Sequence, residues 1–167
     1  PRQIETFLPY VDVFQVGARS MGNDVLLSEL GQAGKPVILK RGLMASVEEW
    51  IEAAELIRGN GNPHVVLCER GIRTFADETR FTMDLNVIPA VQLASDLPII
   101  VDPSHGTGRS DFVLPLSKAA IACGADGLMV EVHPDPQRAL SDGPQALSLQ
   151  QFAVLHSSLQ QLAALEG

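Results

Sequence analysis

Cysteine, aromatic residues and long apolar stretches are all scarce in this 167-residue sequence. The two cysteines, Cys68 and Cys123, are too few for a disulfide framework, and their apolar neighbours predict buried thiols in a reducing cytosol. No apolar run approaches the roughly 18 residues of a membrane span, and no signal-peptide pattern opens the sequence. A disulfide scaffold and a membrane protein are therefore disfavoured, and a cytoplasmic location is expected.

Basic residues are also few, because 12 Lys and Arg stand against 20 Asp and Glu, which gives a net charge of -8. This balance argues against nucleic acid or an anionic membrane as the main partner. A cleft with local cations could still bind a small anionic substrate. The length and the 46% hydrophobic content predict one globular domain over residues 1–167. The opening at Pro1, inside a predicted helix over residues 2–8, favours the second part of a longer protein.

Five short apolar segments each run into a polar or charged residue of the kind that active sites use. They recur roughly every 30 residues, about the length of one strand-loop-helix unit. Their near-continuous apolar character predicts parallel strands that are covered on both faces by helices. Such sheets place the C-termini of all strands at one edge, so we expect a single cleft there. The segments are residues 13–17, 36–39, 65–68, 98–101 and 127–130.

Helical patterns lie between these segments. Asn23 is expected to cap a helix that Gly31 or Gly34 closes, and Ser46 with Glu49 has the spacing of a capping box. This alternation suits either a doubly wound sheet or a (β/α)8 barrel, of which the five units would be strands four to eight. The predicted helices are residues 24–30, 47–57, 87–93, 112–122 and 150–165, with a turn over 102–109 and loops over 69–82 and 132–148.

Three cations, Arg19, Lys40 and Arg70, follow three of the predicted strands. Single cations at strand ends are usually solvated, but three at one edge would repel each other unless an anion lies among them. Arginine forks suit carboxylate and phosphate, and lysine supplies a point charge. The pattern therefore predicts a site for a small molecule that carries both groups. Arg73 and Arg109 on the following loops are either solvated or an extension of this site.

His105, Glu131 and Asp142 form a second group that the fold prediction brings to the same edge. One nitrogen and two oxygen donors would suit Mn²⁺, Fe²⁺ or Zn²⁺. From spacing alone, His105 could equally be a hydrogen-bonding turn residue. His133 would point to the same side of its strand as Glu131 and is a rival ligand.

The motifs taken together resemble type I 3-deoxy-D-arabino-heptulosonate 7-phosphate (DAHP) synthase of the β subgroup. The resemblance covers essentially the whole chain, and the motifs occur in the family's order. They are Gln15–Met21, Leu39–Gly42, Leu67–Phe75, Val101–Arg109, Val130–Pro136 and Ala139–Gly143.

This resemblance implies a (β/α)8 barrel and the first step of the shikimate pathway to aromatic amino acids. In that reaction phosphoenolpyruvate condenses with erythrose 4-phosphate to give DAHP and phosphate. The resemblance also implies a divalent metal (Mn, Fe, Zn or Co) as cofactor and a homo-oligomer at full length. The expected partners are the two small-molecule substrates, with neither nucleic acid nor membrane.

Carried over position by position, the resemblance assigns roles to most of the residues found above. His105, Glu131 and Asp142 would be metal ligands, and Lys40 and His105 would be catalytic. The phosphoenolpyruvate ligands that it implies are Arg19, Lys40 and Arg70, together with the backbone of Ala18. Arg109, on a loop beside them, is a further predicted substrate-binding residue.

Two parts of the family's site have no counterpart in this chain, namely a Cys ligand on the first strand and a Lys-Pro-Arg-Thr segment on the second. Phe81 also stands where Asn is usual. This last departure does not touch the named ligands. We expect the isolated chain to be inactive or nearly so, because an open barrel leaves two strand edges and much of the inner apolar face uncovered. The alternatives are the related 3-deoxy-octulosonate 8-phosphate synthase and a non-catalytic piece of such a barrel. Arg19 and Arg41 favour DAHP synthase, because the related enzyme usually carries Pro-Ala-Phe and Lys-Lys-Gly in these motifs.

Overall fold

The predicted strands and helices form in the predicted order. The computed structural model describes residues 3–166, and the side chains of residues 3–162. Residue 2 of the predicted first helix lies outside the described residues. The helices and strands are α1 Ile4–Phe7, β1 Phe14–Val16, α2 Asp24–Gln32, β2 Val37–Lys40, α3 Val47–Gly59, β3 Val65–Glu69, α4 Val87–Ala94, β4 Ile99–Val101, α5 Pro103–Thr107, α6 Ser110–Ala122, β5 Gly127–Leu128 and α7 Leu149–Glu166. Three short 3₁₀ turns cover Ala18–Ser20, Pro136–Arg138 and Gly143–Gln145.

The chain divides into two compact units. The first comprises the described residues up to Cys68 together with Ala90–Ile99, and the second comprises Glu69–Pro89 together with the residues from Ile100 onward. Strands β3 and β4 and helix α4 therefore contribute residues to both. The single domain that the sequence length favours stays a prediction.

In the first unit, β1, β2 and β3 pair in parallel in chain order. Val16 is aligned with Leu39, and Lys40 with Cys68, so the C-termini of the three strands lie at the same edge. The side chains of Val16, Leu39 and Leu67 are buried. These three residues are aligned in register and therefore share one face of the sheet. Parallel pairing confirms the parallel sheet that the apolar runs predict, whereas coverage of both faces by helices stays a prediction.

Helix α3 begins at the predicted capping box. The Ser46 hydroxyl accepts a hydrogen bond from the Glu49 amide, and the Glu49 carboxylate accepts one from the Ser46 amide at 2.8 Å. The helix packs on α2 and buries Trp50 completely. The indole Nε1 donates to the carbonyl of Leu39 at 3.1 Å. This bond attaches the buried face of α3 to β2 one residue before Lys40.

Helix α2 ends just before Gly34, one of the two glycines that were predicted to close it. Asn23 caps its start as expected, accepting from the Leu26 amide at 3.1 Å, but the helix continues through Gly31 to Gln32. A Cβ on Gly31 would lie 2.4 Å from Cβ of Asn60, so this glycine allows α2 to approach the end of α3. Gly34, with φ of 68°, is the glycine that follows the helix.

In the second unit, β4 pairs in parallel with β5, with Val101 opposite Leu128. Helix α6 packs against α7, and Val113, Leu147 and Leu155 form a buried cluster between loop and helices. In the part of the chain that the structure describes, no helix combines the length and apolarity needed to cross a membrane.

The two cysteines have different environments. Cys68 on β3 is buried as predicted, whereas Cys123 is exposed, so the prediction of a second buried thiol is wrong. Cys123 directly follows the last turn of α6, and the chain then reverses at Gly124 with φ of 94°. The apolar neighbours of Cys123 belong to the helix, and its own side chain lies beyond the buried face.

Candidate metal and phosphate site

The structure brings His105, Glu131 and Asp142 together in the second unit. One potential ligand atom from each residue lies within 4.8 Å of the others. One of these pairs joins Nε2 of His105 to Oε1 of Glu131 at 3.1 Å. All three residues are partly buried. The proximity that the strand-edge argument predicts for this group is therefore present.

His105 is held by a helix that the sequence pattern did not indicate. Residues 103–107 form α5 where only a turn was predicted, with Asp102 as N-cap, Pro103 in the first turn and Gly108 at φ of 69° after the end. Oδ1 of Asp102 accepts from the His105 amide at 2.9 Å. This places the imidazole in the first turn, beside the end of β4.

Asp102 also lies beside the His105 ring. Its second oxygen, Oδ2, is 2.8 Å from Nδ1 of the imidazole, and within the described residues the buried Nδ1 makes no hydrogen bond of good geometry. The Asp102 side chain is completely buried. A carboxylate at Nδ1 leaves Nε2 for a ligand, which is the usual arrangement of metal-binding histidines.

Glu131 follows β5 and is fixed at both its backbone and its side chain. Its amide donates to the hydroxyl of the fully buried Ser104 at 3.0 Å. Its Oε2 accepts from the side-chain amide of Gln145 at 3.1 Å. Gln145 has only 3% of its surface exposed. Sequence analysis did not identify it, and its one signal was its position three residues after Asp142.

Asp142 begins the 3₁₀ turn that contains Gln145. It has φ of 56°, and within the described part of the chain it is the one non-glycine residue with positive φ. Its carbonyl accepts from the amides of Gln145 and Ala146, and Oδ1 lies 3.7 Å from the Arg80 guanidinium. Non-glycine residues in this conformation often occur at functional sites.

The donor set fits a divalent cation. Two carboxylates and one imidazole suit a first-row metal, and the buried Asp102 supplies the support behind the histidine that such sites generally have. His133, the rival ligand, does not belong to the cluster found among the described residues. Its Nδ1 accepts from the Asp135 amide at 3.0 Å instead.

Two of the predicted phosphate-binding cations lie in the first unit. Lys40 is the last residue of β2 and is 5% exposed. Arg19 lies in the 3₁₀ turn Ala18–Ser20 that follows β1, and it is exposed. Because β1 and β2 are paired in parallel, both cations come from the same edge of the sheet.

Arg70 lies in the second unit, directly after β3, and is 7% exposed. Its guanidinium carbon is 4.5 Å from the ring centroid of Phe81, and that of Arg80 is 5.4 Å from the same ring. Ile72 and Thr82 exchange two backbone hydrogen bonds, which close the predicted loop at its base and bring Phe81 beside Arg70. The aromatic face thus offers cation–π support to a buried cation.

The two loop arginines behave differently from Arg70. Arg73 is exposed. Arg109 donates to Asp111 through Nε and Nη2, the latter at 2.6 Å, and lies over the ring of Phe112. The hydrogen bond to Asp111 raises the pKa of Arg109. Its assignment as a substrate ligand stays a prediction.

Comparison with known proteins identifies the family. The family described as the DAHP synthetase I family matches residues 1–166. A phospho-2-dehydro-3-deoxyheptonate aldolase of Thermotoga maritima is 52% identical over 154 residues, which are 92% of this chain and 46% of that protein. A 2-dehydro-3-deoxyphosphooctonate aldolase of Desulfotalea psychrophila is 33% identical over 92% of this chain and 58% of its own length.

Two solved structures from Thermotoga maritima agree with this match. A truncated form of DAHP synthase superposes with a TM-score of 0.94 at 50% identity, over 96% of this chain and 62% of the other. A DAHP synthase crystal structure gives 0.96 at 49% identity, over 98% and 48%. These scores confirm the α/β class and the predicted part of a (β/α)8 barrel, and the chain spans about half the length of its curated relatives. The chain belongs to the DAHP synthetase I family.

Proposed function

We propose that the chain is part of an enzyme that condenses phosphoenolpyruvate with erythrose 4-phosphate to give DAHP and phosphate, the first step of the shikimate pathway. The observation that carries this proposal is the cluster of His105, Glu131 and Asp142, whose ligand atoms lie within 4.8 Å of one another. The 52% identity to a DAHP-forming aldolase, against 33% to an octulosonate enzyme, supports this reaction over the related one.

His105, Glu131 and Asp142 would hold the divalent metal, which is Mn, Fe, Zn or Co. When bound, such an ion supplies Lewis-acid polarisation of an aldehyde oxygen. The role of the chain is to keep Nε2 of His105 available, which the contact between Asp102 and Nδ1 supports. His105 is also the residue of this group that we propose takes part in the catalytic step.

Lys40 and Arg70 are the cations best suited to bind the phosphate and carboxylate of phosphoenolpyruvate. Both are almost completely buried, and electrostatic attraction to an anion is stronger where water is excluded. Arg19, the backbone of Ala18 and Arg109 are the further substrate ligands in this proposal. Arginine contributes paired donors in a fixed plane, and Lys40 contributes a compact point charge.

The reaction forms one carbon–carbon bond and replaces one carbon–oxygen bond at C2 by another. The methylene carbon C3 of phosphoenolpyruvate attacks the aldehyde carbon, whose oxygen takes up one proton of a water molecule while the water oxygen bonds to C2. The bond between C2 and the bridging oxygen then breaks, and phosphate leaves with that oxygen and the C2 hydroxyl proton, so that C2 becomes a ketone. The cations fix the phosphate and carboxylate before the attack and stabilise the negative charge on the departing phosphate. Among these cations, Lys40 is the one that we propose is catalytic. Positioning of this kind supplies a large part of the rate of bimolecular reactions.

The cytoplasmic location, the homo-oligomeric state at full length and the single-domain organisation of this chain also belong to the proposal. They follow from the family resemblance and from composition. The two anionic substrates are the partners, with neither nucleic acid nor membrane.

The test is phosphate release from phosphoenolpyruvate, measured with and without erythrose 4-phosphate. A longer polypeptide that supplies the remaining length of the relatives should release phosphate only when the aldose phosphate is present, whereas the 167-residue chain alone should release little. Replacing erythrose 4-phosphate by arabinose 5-phosphate tests the alternative, which is the reaction of 3-deoxy-octulosonate 8-phosphate synthase. A higher rate with arabinose 5-phosphate would reject the proposed substrate, and a normal rate from the 167 residues alone would reject the predicted inactivity.

A further inference from the structure

We propose that Gln145 is a positioning residue that determines which oxygen of Glu131 a metal ion can reach. This inference rests on the metal site of the proposed function and deepens it. Gln145 contributes no ligand atom of its own. It acts through the carboxylate of Glu131 and through the turn that begins at Asp142.

The two carboxylate oxygens of Glu131 have different surroundings. Oε2 accepts from Nε2 of Gln145 at 3.1 Å, whereas Oε1 lies 3.1 Å from Nε2 of His105. Because the amide of Gln145 occupies one oxygen, the other is the one presented to the imidazole. A metal at this cluster would therefore bind Glu131 through a single oxygen, Oε1.

Gln145 is itself rigidly held. It is 3% exposed, and it is the last residue of the 3₁₀ turn Gly143–Gln145. Its amide donates to the carbonyl of Asp142 at 3.1 Å. One residue thus connects two carboxylate ligands, Asp142 through the backbone and Glu131 through the side chain.

The backbone on both sides of this link is closed as well. The Leu147 amide donates to the carbonyl of Glu131 at 2.8 Å, and the His133 amide donates to the carbonyl of Leu147 at 2.8 Å. A Cβ on Gly143 would lie 2.4 Å from the carbonyl oxygen of Pro136, so the turn has no room for a larger residue there. The side-chain amide of Gln145 is consequently delivered to Glu131 at a fixed position.

Loss of the amide donor should weaken metal binding without removing a ligand. Outer residues that orient metal ligands typically contribute 10- to 100-fold in metal affinity. In the absence of Gln145, the Glu131 carboxylate can rotate and can offer both oxygens to the ion. Affinity and coordination geometry should therefore change together.

The test uses Gln145→Met, which keeps the length of the side chain and removes its donor. The matched control is Gln151→Met, because Gln151 accepts from the Ser148 amide at 2.8 Å in the same unit and does not contact Glu131 in the described structure. Mn²⁺ binding to the longer polypeptide that supplies the remaining length of the relatives is followed by electron paramagnetic resonance, and metal-free thermal melting is recorded for every variant. Gln145→Leu provides a second donor-free side chain if the first variant folds poorly.

We expect Gln145→Met to bind Mn²⁺ about 10- to 100-fold more weakly and to change the line shape of the bound ion. In Gln151→Met, the Mn²⁺ affinity and the line shape should equal those of the unaltered chain within experimental error. Unchanged affinity and line shape in folded Gln145→Met or Gln145→Leu would overturn the inference and leave the proposed metal site standing. An equal loss in Gln151→Met would also overturn it. If the unaltered chain binds no Mn²⁺, the metal site and this inference both fail.

Discussion

Gly71 lies where the segment that carries Arg70 passes close to the helix that carries His105. It has φ of 88°, and a Cβ at this position would lie 2.9 Å from Cα of Gly106 and 2.7 Å from Cβ of Phe81. Its amide donates to the buried Glu69 carboxylate at 2.7 Å. We therefore predict that Gly71→Ala is strongly destabilising and displaces the residues on both sides.

The expected magnitude has two sources. Holding a non-glycine residue at positive φ costs about 1–3 kcal/mol. Forcing an additional methyl group into a packed contact costs about 1–3 kcal/mol more, since the nearest atoms include backbone that cannot rotate away. The combined loss of about 2–6 kcal/mol corresponds to a fall in Tm of at least about 4 °C for a protein of this size.

The assay is thermal unfolding followed by circular dichroism, with Gly22→Ala as the control. A Cβ on Gly22 would meet no atom within 4 Å other than those of its chain neighbours, and this glycine has no positive φ. Its replacement should therefore change stability by less than about 0.5 kcal/mol. A Tm of Gly71→Ala equal to that of Gly22→Ala would refute the reasoning from close approach and backbone conformation.

Three further changes test other parts of the structure. Asp102→Asn keeps a capping oxygen but places an NH₂ group near Nδ1 of His105. Mn²⁺ affinity measured by calorimetry should therefore fall about 10- to 100-fold, while the far-ultraviolet circular dichroism spectrum stays unchanged. An affinity equal to that of the unaltered chain would contradict the role of Asp102. Ser46→Ala removes the N-cap of α3 and should cost about 1 kcal/mol in urea unfolding, whereas an unaltered midpoint would reject that cap. The hydrogen bond from Arg58 lowers the pKa of Asp96, so this group should stabilise the fold above its unfolded pKa and lose that effect as pH falls through the lower folded value. Carboxyl-carbon NMR should show a higher pKa for Asp96 in Arg58→Gln than in the unaltered chain, although its backbone hydrogen bond continues to lower it. An unchanged pKa of Asp96 would contradict the pairing.

The parts of the fold that could be predicted are those governed by local rules. Buried parallel strands have continuous apolar runs, and the Ser46–Glu49 spacing satisfies two amide donors within one helical turn. Gly31 shows where local rules fail. It resembles a helix terminator in sequence, but the contact with Asn60 explains it, and that contact depends on how α2 packs on α3.

The proximity of the proposed ligands could be predicted from the sequence, whereas the residues that support them could not. His105 and Glu131 could be predicted to lie close together because each follows a strand of the parallel sheet, and parallel strands end at the same edge. The short helix after Asp102 could not be predicted, because the sequence Asp-Pro-Ser-His fits a turn as well as the start of a helix. The hydrogen bond from the His105 amide to Asp102 is what identifies it as a helix start. Gln145 carries no charge and has no metal-ligand spacing, so its role follows from one hydrogen bond between distant residues.

Diffraction from crystals grown with Mn²⁺ and phosphoenolpyruvate, recorded at a wavelength where manganese scatters anomalously, tests the central claim most directly. We predict one strong anomalous peak about 2.0–2.3 Å from Nε2 of His105 and from carboxylate oxygens of Glu131 and Asp142, with the phosphate or carboxylate of the substrate bound by Lys40. A manganese peak that lies away from these three residues, or a substrate whose phosphate and carboxylate do not contact Lys40, would contradict the account.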